Sequence, residues 1–191
     1  MSDPLKIQGQ SASPNQAVFS FPSKSLCDFI LSSKSQNIVL KLKIGDFEPE
    51  IVLSGEKRNI SSLIDDSQTV GVSIKGTIRD KPGSKVTILA STHSFYANFI
   101  FDDKWYKISN FTGNSKMVQD VFTFSESEYH PSTNKFAPEL DPVCTYISAD
   151  FGVQFDQLFA DNFQDVDEAM FWALNTVSNN AYVIWNTIDP V

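Results

Sequence analysis

An α+β fold is what this sequence predicts: an antiparallel β-sheet domain, then a strand-helix-helix segment. Three observations point there. Apolar residues alternate with a period of two from Ile38 to Ile108, they recur at helical spacing beyond Val153, and a polar, proline-broken stretch separates the two regimes. At 191 residues, with 41% hydrophobic and 13% aromatic content, the chain is apolar enough to bury a core and too short for more than one large or two small domains.

Residues 1–14 are polar and patternless and read as a flexible leader. The β-rich domain spans 15–124. It opens with a short strand near Ala17–Phe21 and a short helix over 23–33, where Leu26, Phe29 and Ile30 share a face after Pro22. Ile38, Leu40, Leu42 and Ile44 alternate with Val39, Lys41 and Lys43, which describes a strand with one buried face, and Glu50–Leu53 can be its neighbour. Val70, Val72, Ile74 and Ile78 mark another long strand. The turn Asp80-Lys81-Pro82-Gly83-Ser84 reverses the chain into Lys85–Ala90, and Phe95–Phe101, the Asp102-Asp103 turn and Lys104–Ile108 continue an antiparallel meander. A further strand is predicted over Val118–Phe124, and residues 125–142, with Pro131, Pro138 and Pro142, read as a linker.

The last region, 143–191, starts with a β-branched and aromatic strand, Val143–Ala149. Phe155, Leu158 and Phe159 then mark a short helical turn. The clearest helix follows. Asp165 is placed to cap it, Asp167 and Glu168 lie in its first turn where negative charge favours the helix dipole, and Val166, Met170, Ala173, Leu174, Val177, Ala181 and Ile184 form its apolar stripe. One strand and two helices cannot enclose Met170, Phe171, Leu174, Val177, Ile184 and Trp185, so this region must bury its apolar face on the β domain or on further protein.

Cys144, the pair Ala149-Asp150 five residues on, Phe155 and the helix end Asn180-Ala181-Tyr182-Val183-Ile184-Trp185-Asn186-Thr187 resemble the opening strand and first long helix of the catalytic domain of reprolysin (adamalysin) type metzincin zinc metalloproteases. That likeness covers about the last quarter of the chain. The meander is similar to the prodomain of the same family through Gly76, Pro82, Ser84, Val86, Ile88, Phe99 and Tyr106; it departs at Tyr96-Ala97, where the family usually has a glycine. The resemblance implies an inhibitory or folding-assisting propeptide and the truncated start of a secreted zinc metalloendopeptidase. It also implies that Cys144 pairs within the catalytic domain, and that the missing remainder of that domain is the partner.

The family's chemistry needs two histidines one helical turn apart with a glutamate as general base, and a third histidine beyond a glycine turn, so that zinc keeps one position open for water. This chain holds only His93 and His130, in no such motif, so no catalytic, cofactor-binding or metal residue is assigned and the chain is read as inactive as given. Zinc is expected only in a full-length relative. Other site readings yield to plainer ones. His93 lies in a turn and His130 precedes a proline; Asp102, Asp103 and Asp120 lack calcium-loop spacing; Phe95, Tyr96, Phe99, Phe101, Trp105 and Tyr106 are read as packing before any sugar- or peptide-binding face. Cys27 lacks the basic, glycine-containing setting of the family's inhibitory cysteine and is read as a buried small hydrophobe. Its pairing with Cys144 is left open.

A net charge of −8 without clustered Lys and Arg speaks against nucleic-acid and anionic-membrane surfaces, and no apolar run approaches the roughly 20 residues of a membrane span. Met1-Ser2-Asp3-Pro4 lacks a signal peptide's basic start, which leaves a cytosolic protein or one whose signal precedes this sequence; the resemblance favours secretion. Asn59-Ile60-Ser61 and Asn110-Phe111-Thr112 are glycosylation sequons, Lys57-Arg58 is the only dibasic pair, and Lys135 stands alone in the linker. A non-enzymatic secreted or surface β-sheet binding protein is the alternative, and an intracellular structural protein the third reading.

Overall fold

The computed structural model describes residues 7–13, 16–35, 37–44, 47–113, 116–128, 157–161, 163 and 165–176. In chain order the elements are β1 (Ile7–Ser13), β2 (Gln16–Ser20), α1 (Ser23–Ser32), β3 (Ile38–Ile44), β4 (Glu50–Leu53), β5 (Arg58–Ser61), β6 (Thr69–Ile78), β7 (Lys85–Ser91), β8 (Phe95–Phe101), β9 (Lys104–Gly113), β10 (Lys116–Glu128), α2 (Gln157–Ala160) and α3 (166–176). Strands dominate, with a few short helices, so the coarse α+β expectation stands.

The strands form one ten-stranded sheet in the order β4-β3-β1-β2-β10-β9-β8-β7-β6-β5. Every ladder is antiparallel except β1 with β3. The three-residue ladder of β4 with β6, Ile51 opposite Ile78 to Leu53 opposite Gly76, joins strands from opposite flanks of that order and curls the sheet back on itself. A curled sheet has an inside, and alternation decides what fills it. Val72, Ile74 and Ile78 of β6, Val86, Ile88 and Ala90 of β7, and Phe95, Ala97 and Phe99 of β8 all enter one buried cluster. Aromatic rings complete it: Phe21 stacks on Phe122 at 4.4 Å and meets Phe95 edge-on at 5.1 Å, while Phe47 stacks on Tyr106 at 4.5 Å.

The predicted meander is present as β7, β8 and β9. Its Asp102-Asp103 turn has positive φ at both residues, 51° and 57°, as a tight two-residue hairpin loop requires and as aspartate tolerates. Besides an unexpected β5 and a β9 that runs on past Ile108 to Gly113, two boundaries differ from the sequence reading. Ile7–Ser13, inside the stretch expected to be a flexible leader, forms β1, because β2 and β3 supply backbone partners on both sides. At the other end β10 runs through Glu128, four residues into the expected linker, because the long partner β9 offers ladder positions from Lys107 to Lys104. Neither extension carries a period-two apolar signal; both rest on non-local pairing. The expected strand Val143–Ala149, with Cys144, His130, Lys135 and the helix beyond Thr176, lies outside the described residues.

Candidate functional site

Helix α1 enters the curled sheet. Leu26 and Cys27 are 1% exposed and Ile30 is fully buried, all within the main core. Its N-terminus follows Pro22, whose side chain cannot accept, and Asp120 serves instead: Oδ1 takes hydrogen bonds from Ser23 N at 2.9 Å and Ser23 Oγ at 2.7 Å. Asp120 reaches that position from an irregularity in β10 where its own φ is 58°. At the other end Lys57 Nζ donates to the carbonyls of Ile30, at 3.1 Å, and of Ser33. The dibasic pair is therefore engaged in structure, and Lys57 is not a loose processing site.

This geometry decides several candidates. Cys27 Sγ donates to the Ala90 carbonyl at 3.5 Å, and burial, reinforced by the Asp28 charge, pushes the thiol up to about 11. Holding the proton disfavours the thiolate that nucleophilic attack or zinc binding needs, and among the described residues Cys27 forms no disulfide. Asp102 pairs with Lys81 in the hairpin turn. Asn110 is buried, accepts from Phe95 N at 3.0 Å and donates to the His93 carbonyl at 3.1 Å, so its sequon is spent on structure; Asn59 on β5 is exposed. Phe95, Phe99 and Tyr106 belong to the core, and no aromatic binding face is made from them. The space enclosed among Leu26, Ile88, Phe95 and Phe99 is about 10 Å³, room for one water at most.

Helix α3 sits on the other face of the same strands. Phe171 of α3 is 1% exposed and packs with Leu89 of β7 and Tyr96 of β8, flanked by Ile60, Val70, Met170 and Leu174. Gly71 of β6 makes the fit possible. A Cβ there would lie 2.1 Å from Phe171 Cζ and 2.5 Å from the Ala90 carbonyl oxygen, so only a bare backbone admits the ring. The helix carries its own N-cap, as the sequence predicts: Asp165 Oδ1 accepts from Glu168 N at 2.8 Å. Asp167 Oδ1 accepts from Leu63 N at 2.8 Å and ties the first turn to the loop after β5. Trp172, 39% exposed, leans on Phe159 at 5.2 Å and on Phe163 at 6.2 Å instead of the sheet.

Beneath the first turn of α3 lies a cavity of about 130 Å³ lined by His93, Asp165, Asp167, Glu168 and Phe171, among others. His93 Nδ1 is buried there without a hydrogen-bond partner, and Glu168 is 4% exposed. Burial, with the Glu168 charge acting in the same direction, raises the Tyr96 phenol against a lowering contact with Ser94. Among the described residues no group of three or more His, Cys, Asp or Glu is arranged to hold a metal ion. No helix among the described residues is long and apolar enough to cross a membrane. Sequence reasoning placed Asp165 and Glu168 through capping and the helix dipole, and named Phe171 only as one of several large side chains needing burial, outside the helical stripe; it missed Gly71, Asp120 and Leu63, whose roles depend on partners far along the chain. Comparisons with family models, with curated proteins and with solved structures found no match to this chain.

Proposed function

We propose that the chain carries the propeptide of a secreted zinc metalloendopeptidase of the reprolysin type, residues 15–124, followed by the opening of its catalytic domain, residues 143–191. The observation that carries this reading is the seating of Phe171 against Gly71. A propeptide that assists folding or restrains its enzyme needs a surface fitted to that enzyme, and here the helix resembling the catalytic domain's first long helix is held by the β domain. The order of the two resemblances, meander first and Cys144 with its helix second, supports the same reading. The chain itself supplies no hydrolytic machinery; zinc and the general base belong to the remainder of the catalytic domain.

Sequencing the transcript beyond Val191 tests this directly. The expected result is a helix-borne histidine pair with its glutamate, and a third histidine after a glycine turn, within about 150 residues, a typical domain length. A stop codon immediately after Val191 in an intact gene overturns it in favour of a free-standing β-sheet binding protein.

A further inference from the structure

We infer that the outer face of β6, β7 and β8 around Gly71 is a receptor surface for one amphipathic helix, occupied here by residues 166–176, and that this helix leaves it as a unit without unfolding the β domain. The inference stands on this chain alone and goes beyond the protease reading. Two separate apolar clusters lie on opposite sides of the sheet: the inner one contains no α3 residue, and the outer one has Leu89, Tyr96 and Phe171 as its buried members. Withdrawing α3 therefore removes nothing from the main core.

The surface has a defined specificity. Gly71 forms a notch that takes a flat ring, and the Leu63 N–H beside it takes a carboxylate one turn earlier on the incoming helix. Met170 and Leu174, which share a helix face with Phe171, pack round the same cluster and complete the contact. The occupant is thus a helix with an acidic first turn and an aromatic knob set among larger apolar side chains on the same face. Asp165 caps α3 from within, so the capped segment travels intact, and the cavity of about 130 Å³ under its first turn shows a seat that is not packed to core density.

Amide hydrogen exchange on the full chain is the test. In Phe171→Ala, exchange of α3 and of the Leu63 amide should accelerate at least about tenfold while β7 and β8 stay protected. Trp172→Ala, which removes a ring turned away from the sheet, should leave the Leu63 amide unchanged. A synthetic peptide of residues 163–178, added at about 1 mM to Phe171→Ala, should restore Leu63 protection, and the same peptide carrying Phe171→Ala should not. Unchanged α3 exchange in Phe171→Ala overturns the inference, as does joint loss of β7 and β8 protection, equal release by Trp172→Ala, or failure of the peptide to restore protection.

Discussion

Helices α1 and α3 pack against the same pair of strands from opposite faces, and they do so on different terms. Helix α1 inserts Leu26, Cys27 and Ile30 into a core built by most of the sheet, and both its ends are held by residues distant in sequence, Asp120 and Lys57. Helix α3 carries its own cap at Asp165 and reaches the sheet through one fully buried large side chain, Phe171. Ala90 shows the division on a single residue: its side chain lies in the inner core, while its carbonyl bonds Cys27 Sγ and also borders the Gly71 notch. The alternation that makes a strand two-faced thus lets one pair of strands hold an integral helix and a surface helix together.

The comparison can be broken most sharply at α1. Ile30→Ala should cost ~2–5 kcal/mol of global stability, the usual range for truncating a fully buried aliphatic side chain, read from the denaturant midpoint at unchanged slope. A midpoint close to wild type would mean that α1 is no more integral than α3. Asp120→Ala comes next, at about 1.5–3 kcal/mol, because it strips a charged acceptor from Ser23 N and Oγ and sets a non-glycine residue without polar compensation at positive φ. Asp120→Asn keeps an acceptor and tolerates that φ, so it should recover most of the loss; equal damage from both would refute the capping role.

The third prediction concerns pH. The folded thiol of Cys27 titrates near 11, above its ordinary 9.0, so the folded state holds the proton more tightly and the resulting stability is complete below pH 9 and lost as pH rises through 11. Thermal unfolding scans between pH 8 and 11 should show a smaller decline for Cys27→Ala than for wild type. Parallel declines would place the thiol in a more open site than the structure gives it. The smallest global effect belongs to α3: Phe171→Ala should move the midpoint of the β-domain transition by less than about 1 kcal/mol, the scale of a change confined to a locally opening unit. A loss comparable to that of Ile30→Ala would erase the distinction between the two helices.

The sequence by itself determined whatever depends on neighbours within a few residues. The alternation of Val72, Ile74 and Ile78 marked β6, Asp102-Asp103 marked a hairpin turn, and Asp165 with Glu168 marked the start of α3, since side-chain direction and capping are set by local backbone geometry. Tertiary structure alone decided the rest. Polar Ile7–Ser13 became a strand because its backbone finds partners in β2 and β3, Asn110 became a buried clasp between β8 and the His93 carbonyl, and Asp120 became the cap of a helix 97 residues away. Gly71 is the clearest case. Within β6 a glycine only weakens a strand, and it becomes a seat when the curled sheet brings the strand under Phe171, exactly one hundred positions later in the numbering, because the space a missing Cβ leaves has meaning only for the atom that arrives to fill it.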